Sequence, residues 1–109
     1  MDCHSEKRGG AVIVRPVGRM YANTGSVFEA ECRKWIENGE KKIIADLEGL
    51  EYISSAGLRS VLTVGKKLKS AGGELSLCNM SGMVEEVFHM SGFNTIFNIF
   101  DTVEAALEE

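Results

Sequence analysis

The sequence predicts an α/β fold with a mixed, mostly parallel sheet of four to five strands and about four helices. Short runs rich in β-branched residues alternate with segments of helical apolar periodicity. Gly or Asn follows most of the helical segments, as is common where helices end. The chain has 109 residues, enough for one hydrophobic core. We therefore expect a single domain over residues 1–109.

The charge balance argues against nucleic acid and anionic membranes as partners. Lys and Arg number 12 and Asp and Glu number 16, which gives a formal net charge of −4. The longest apolar run is Ala11–Val14, whereas a membrane span needs about 20 apolar residues and a signal peptide about 7–15. We expect a cytoplasmic protein that does not bind membranes directly.

The three cysteines do not suggest a disulfide framework or a metal site. Cys32 and Cys78 fall within apolar periodic segments, where cysteine commonly serves as a small buried hydrophobe. Cys3 and His4 are adjacent, but no second pair completes a tetrahedral zinc set. We expect neither a metal nor a cofactor.

The first elements are predicted to form a β-hairpin. Gly9-Gly10 is typical of a tight turn, because paired glycines tolerate positive φ. Cys3–Lys7 is polar and predicts an edge strand. Ala11–Val17 predicts an apolar strand, and Pro16 indicates that this strand ends or lies exposed there.

The first helix is predicted to begin near Ser26, because Ser26–Glu29 has the sequence of a capping box. Asn38-Gly39 is expected to end it, and Lys42–Leu47 predicts a buried strand. One apolar face of this helix comprises Phe28, Cys32, Trp35 and Ile36.

The second helix is predicted to run from Ser54-Ser55 to Ala71, where Gly72-Gly73 stops it. Glu74–Cys78 follows as a strand. The predicted buried stripe of this helix comprises Leu58, Val61, Leu62, Gly65 and Leu68.

The last third predicts a short helix from Ser81, a break at Ser91-Gly92 and a strand over Thr95–Phe100. Asp101–Glu104 is expected to cap a final helix. The inward residues of the short helix are predicted to be Val84, Val87 and Phe88.

The pattern of residues excludes two kinds of phosphate site, a nucleotide-binding P-loop and the phosphoacceptor site of a receiver domain. Gly65-Lys66-Lys67 lacks the earlier glycine and the hydroxyl of a P-loop. Asp46 falls inside its predicted strand without a preceding acidic pair, unlike the phosphoacceptor of a receiver domain, which needs acidic neighbours to hold Mg²⁺.

The segment Glu48–Leu58 is the strongest local feature, because a strand passes to a helix through a short loop ending in Ser54-Ser55. One interpretation is that a serine simply caps the helix. Another is a hydrolase, since Ser55-Ala56-Gly57 forms half of a nucleophile elbow. However, Ile53 replaces its first glycine, and the only candidate bases are His4 and His89.

The central segment resembles the motif of STAS domains, the family of bacterial anti-sigma factor antagonists, stressosome scaffolds and the tails of sulfate transporters. The resemblance implies a sheet with helices on one face. The matching segments are Asp46-Leu47, Gly49–Leu58, Val17-Gly18, Ser91-Gly92-Phe93, Ile96-Phe97 and Glu104–Leu107.

The resemblance implies a non-enzymatic regulator that binds an anti-sigma factor acting as a serine kinase. In such antagonists the serine after the motif Asp is phosphorylated, a position that corresponds to Ser55. Two departures keep an alternative open, a STAS subunit or scaffold of a transport or stress-signalling complex that is never phosphorylated. Ser54 stands in place of the motif Asp, and Arg19-Met20-Tyr21 stands where an acidic residue is expected.

The partner-binding surface is predicted at the loop Glu51–Gly57 and the neighbouring loop Tyr21–Gly25. Both segments follow a strand and precede a helix, so we expect them at the same end of the sheet. The predicted binding residues are Tyr21, Asn23, Tyr52, Ser54, Ser55, Ala56 and Gly57.

Overall fold

The computed structural model describes residues 1–109. It has six strands, four α-helices and one 3₁₀ helix, Phe93–Thr95. The strands are β1 (Asp2–Arg8), β2 (Ala11–Met20), β3 (Lys42–Asp46), β4 (Leu50–Ile53), β5 (Glu74–Cys78) and β6 (Asn98–Phe100). The helices are α1 (Ala22–Glu37), α2 (Ser55–Ser70), α3 (Gly82–Ser91) and α4 (Val103–Leu107). None of these helices combines the length and apolarity required to cross a membrane.

The sheet has the order β1-β2-β3-β5-β6, and β4 pairs with the far end of β2. Only the β1–β2 hairpin is antiparallel, with its turn at Gly9-Gly10. The other pairs are parallel, as in Val12 opposite Ile43 and Ile43 opposite Leu75. The register between β2 and β4 shifts between Gly18 and Arg19. The predicted mixed, mostly parallel architecture is confirmed, with six strands rather than four to five.

Strand β2 is longer than the predicted Ala11–Val17, and the interpretation of Pro16 is wrong. The strand continues through Gly18, which has φ +113°, to Met20, and Pro16 is buried. β3 pairs with β2 over residues 12–14 and β4 over residues 18–20. Pro16 therefore lies between the two parallel partners, where its missing amide costs no ladder hydrogen bond on that side.

The alternation of side chains along the strands divides the core between two faces. On the first face, α1, α2 and α3 pack on the sheet through residues such as Phe28, Val61 and Phe88. On the second face, α4 packs through Val103 and Ala106. The helices thus lie mainly on one face, as predicted. Cys32 and Cys78 are fully buried, which confirms their expected role as small hydrophobes.

Helix α1 begins at Ala22 rather than near Ser26. The Thr24 hydroxyl accepts from the Tyr21 amide at 2.7 Å and donates to the Arg19 carbonyl at 2.8 Å, which closes the first turn earlier. Ser26 instead donates to the carbonyl of Asn23 at 2.8 Å, within the helix. The predicted loop Tyr21–Gly25 is therefore the cap and first turn of α1.

Helix α2 begins and ends as predicted, but its buried stripe differs. Val64 is buried, whereas Leu62 and Gly65 are only half-buried. These two residues lie at the edge of the helical layer, where they line an open groove together with Ile96, Phe97 and Asn98. In α3, Val87 is likewise half-buried, while Val84 and Phe88 are buried.

The predicted strand Thr95–Phe100 is correct only at its end. Gly92 adopts φ +78° and terminates α3, and the Thr95 hydroxyl donates to the Gly92 carbonyl at 2.7 Å. This bond stabilises the 3₁₀ turn and leaves only Asn98–Phe100 as strand. The final helix is capped as predicted, since the Thr102 hydroxyl accepts from the Ala105 amide at 3.1 Å.

Candidate functional site

The candidate site lies where β2 and β4 end side by side. Leu50–Ile53 forms β4, so the predicted loop over Glu51–Gly57 is wrong for its first half. Met20 stands opposite Ile53 in the parallel register. Because α1 and α2 start immediately after these residues, their N-terminal turns are neighbours.

Two glycines allow the N-terminal turns of α1 and α2 to come close. A Cβ on Gly57 would lie 2.5 Å from the Met20 carbonyl oxygen, and one on Gly25 would lie 2.3 Å from Ser60 Oγ. Neither position has room for a side chain. Gly57 is buried, so it contributes this close approach rather than exposed surface.

The two adjacent serines have different surroundings. Ser54 caps α2: its Oγ accepts from the Gly57 amide at 3.1 Å, and its own amide donates to the Met20 carbonyl at 2.9 Å. Ser55 is the first residue of the helix and is exposed, and its hydroxyl makes no hydrogen bond within the chain. The capping interpretation is therefore confirmed for Ser54 and leaves the Ser55 hydroxyl free.

An aromatic pair lies beside these serines. The rings of Tyr21 and Tyr52 are 5.2 Å apart between centroids with an interplanar angle of 42°, and Tyr21 is 39% exposed. Arg19 stands opposite Tyr52 in the strand register. A polar contact with the Tyr21 side chain, and then the charges of Tyr21 and Glu51, raise the pKa of Arg19.

Arg19 is not among the predicted binding residues, although strand alternation carries the signal. Met20 is buried, so its neighbour Arg19 points away from the core. No carboxylate lies within ion-pair distance of its guanidinium. Asn23 is exposed on the first turn of α1, and Ala56 is half-buried on the first turn of α2. Of the predicted residues, only Gly57 is buried.

Asp46 has a structural environment rather than that of a phosphoacceptor. It is the last residue of β3, and its side chain is only 8% exposed. It accepts from Arg15 Nε at 3.1 Å, Asn79 Nδ2 at 2.9 Å and the Glu48 amide at 3.2 Å. These bonds fix the turn before β4 and the loop after β5, where Asn79 has φ +57°.

The other reactive groups do not form a catalytic arrangement with Ser55. His4 lies on β1 opposite Arg15, and His89 on α3 contacts the Asn94 amide at 3.1 Å. Burial raises the pKa of Cys3 to about 12 and that of Cys78 to about 12. Thiols with such pKa values are poor nucleophiles. No group of three or more His, Cys, Asp or Glu side chains is arranged to hold a metal.

The profile of the STAS domain family matches residues 3–106. The chain belongs to the STAS domain family. Over 106 residues this STAS domain is 42% identical to BtrV of Bordetella bronchiseptica, a candidate anti-sigma factor antagonist, covering 97% of this chain and 91% of BtrV. It is 29% identical to the anti-sigma F factor antagonist of Paenibacillus polymyxa, covering 100% of this chain and 94% of that protein.

Solved structures give the same result for the fold of this STAS domain. The crystal structure of a candidate anti-sigma factor antagonist from Thermotoga maritima matches with a TM-score of 0.90 at 24% identity, covering 97% of this chain and 92% of that chain. The phosphorylated form of SpoIIAA from Bacillus matches with a TM-score of 0.76 at 25% identity, covering 98% of this chain and 97% of that one. The predicted family is thus confirmed.

Proposed function

We propose that this STAS domain is a non-enzymatic regulator that binds an anti-sigma factor acting as a serine kinase, and that phosphorylation of Ser55 switches the binding off. The observation that carries the proposal is the division of roles between the two serines. Ser54 satisfies the first turn of α2, so Ser55 offers an exposed hydroxyl with no structural task. A kinase can modify that hydroxyl without breaking a contact in the fold.

The surroundings of Ser55 accommodate a phosphate. A phosphoserine carries about −1.5 to −2 charges, and a helix N-terminus favours negative charge. The first turn of α2 contains no acidic residue that would repel it. The fold therefore tolerates the modification. A partner surface shaped for a neutral hydroxyl does not tolerate the added charge and volume.

The residues around Ser55 have the composition of a binding surface. Tyr and Arg are enriched at the energetic centres of protein interfaces. Tyr21 and Tyr52 form a packed pair, and no carboxylate lies within ion-pair distance of the Arg19 guanidinium. We expect the partner to place an acidic or hydrogen-bond-accepting group against Arg19.

The second candidate function is a STAS subunit or scaffold that binds its partner constitutively. Ser54 favours it, because the aspartate of the family motif would add a charge beside Ser55 that serine does not supply. In that case the same surface binds a partner, but Ser55 is never modified.

Phosphorylation mapping distinguishes the two candidates. The purified domain is incubated with ATP and a candidate anti-sigma factor of the serine-kinase type, and the modified peptide is sequenced by mass spectrometry. We expect one phosphate on Ser55 and none on the Ser55→Ala variant. Tight binding without any phosphate on Ser55 would favour the constitutive subunit. A serine-reactive probe that labels Ser55 would contradict the non-enzymatic assignment.

A further inference from the structure

A groove lies on the flank of α2, away from Ser55. It has a volume of about 540 Å³ and runs between α2, the start of β5 and the segment around Phe97. α3 packs against β4 rather than over β6, and α4 packs on the other face of the sheet. This flank of the helical layer therefore stays open. Its volume falls within the range of about 300–1,000 Å³ that is typical of small-ligand sites.

The floor of the groove is apolar and its shape is fixed. It is formed by Leu62, Leu75, Ile96 and Phe97, of which Ile96 is 59% exposed. The Phe97 ring packs edge-on against Phe88 with centroids 6.3 Å apart. A Cβ on Gly65 would lie 2.8 Å from Phe97 Cε1, so the ring keeps this position because residue 65 is glycine.

The rim of the groove is positively charged. Lys66 and Lys69 line it from consecutive turns of α2, and neither has a carboxylate within ion-pair distance. The one acidic lining residue, Glu74, accepts a hydrogen bond from the Asn98 side chain. The chain as a whole has a net charge of −4, so this cationic rim departs from the overall charge and complements an anion.

We infer that this groove binds a small amphipathic anion, with its apolar chain on the Leu62–Phe97 floor and its carboxylate or phosphate head at Lys66 and Lys69. Gly65 lies ten residues after Ser55, about 15 Å along the helix axis. The groove is thus separate from the proposed partner surface, and the inference does not depend on the proposed function.

The test is a titration of the full chain monitored by two-dimensional amide NMR. The probes are decanoate and decyl phosphate, each below its micelle concentration, with decyltrimethylammonium and inorganic phosphate as comparisons. We expect saturable shifts, with one ligand per chain, at the amides of Gly65, Gly73 and Asn98. The ratio of the decanoate and decyl phosphate affinities identifies the preferred head group.

Matched variants separate the contribution of the lysine charges to decanoate binding from that of the apolar floor of the groove. Lys66→Glu and Lys69→Glu should each weaken decanoate binding by about threefold or more. Lys67 is exposed on the same helix but outside the groove, so Lys67→Glu should weaken decanoate binding by less than about threefold. Ile96→Asn should weaken it by about fivefold, whereas Met90→Asn, exposed outside the groove, should not.

Five results would overturn the inference. The first is equal binding of the cationic amphiphile, and the second is equal binding of inorganic phosphate and decyl phosphate. The third is a loss with Lys67→Glu as large as with Lys66→Glu. The fourth is a dimer in sedimentation analysis that Ile96→Asn abolishes, because a second copy would then occupy the groove. Absence of saturable shifts with both anionic amphiphiles also contradicts it.

Discussion

The rings of Tyr21 and Tyr52 pack 5.2 Å apart although they belong to different elements, the cap of α1 and strand β4. Tyr21→Ala should weaken partner binding by about tenfold, because it removes a partly exposed aromatic group beside Ser55. Isothermal titration with the anti-sigma partner measures this, and urea unfolding checks stability. A loss of binding that merely follows a loss of stability would show that Tyr21 acts in the core.

A double-mutant cycle of Tyr21→Ala and Tyr52→Ala measures the contact between the two rings. The coupling in the free energy of unfolding should be about 0.5–1.5 kcal/mol.

Ser55→Asp should remain folded and bind the partner poorly. The helix N-terminus favours the new charge, so the free energy of unfolding should stay equal or rise by about 0.3–1 kcal/mol. Ser55→Ala should bind like the unmodified domain and resist inactivation by ATP. Ser70→Asp, at the exposed C-terminal end of the same helix, is the matched control. Ser70→Asp should lower the free energy of unfolding, because the C-terminal end of a helix dipole is negative and disfavours a carboxylate. It should leave partner binding unchanged. If Ser55→Asp binds as tightly as the original, the phosphoswitch is wrong and the constitutive subunit is favoured.

Ser54→Ala should lower the free energy of unfolding by about 1 kcal/mol, because it removes the hydroxyl that accepts from the Gly57 amide. Ser54→Asp should retain most of the stability, since aspartate also caps helices. Urea denaturation measures both variants. Ser55→Ala is the control and should be nearly neutral. Equal losses from Ser54→Ala and Ser55→Ala would contradict the assignment of the cap to Ser54.

Gly57→Ala should destabilise the domain by about 1–3 kcal/mol, because the new Cβ would meet the Met20 carbonyl oxygen at 2.5 Å. The Met20 carbonyl belongs to the backbone of β2 and cannot rotate away as a flexible side chain would. Gly10→Ala is the control: its Cβ meets no atom within 4 Å, and the change should stay within about 0.5 kcal/mol. Thermal unfolding followed by circular dichroism compares the two.

Glu31 should make stability sensitive to acid. A hydrogen bond from Ser5, and then one from Lys34, lower the pKa of Glu31 below its usual value of 4.5. Its contribution is therefore complete above about pH 4.5 and is lost as the pH falls through the lowered pKa. Glu31→Gln should reduce stability at pH 7 and flatten its decline in acid, as urea midpoints across this range would show. Glu37→Gln, exposed on the same helix, should do neither.

Much of the fold was predictable because the signals were local. The limits of α2 and β5 follow from a serine cap, a glycine stop and an apolar run, each of which acts within a few residues. Errors arose where a distant partner decides the structure. β4 is short and half exposed, and it is a strand because β2 extends to Met20 and pairs with it.

The candidate site was predictable in position but not in detail. Both predicted segments do meet at one end of the sheet, as the parallel order requires. The sequence could not assign the cap to Ser54 rather than Ser55, because either serine is a suitable capping residue. It also could not reveal that Arg19 lies opposite Tyr52, since this depends on the register between β2 and β4.

The Gly9-Gly10 turn offers a position for a reporter. A Cβ built on either glycine would meet no neighbour within 4 Å. The turn precedes Ala11 at the start of β2, whereas Tyr21 follows its end, a separation of about 30 Å for an extended strand of this length. A fluorophore or short epitope inserted there would stand clear of an anti-sigma factor docked around Ser55. The hairpin is therefore a suitable labelling site for measuring how the intact domain binds and releases an anti-sigma factor.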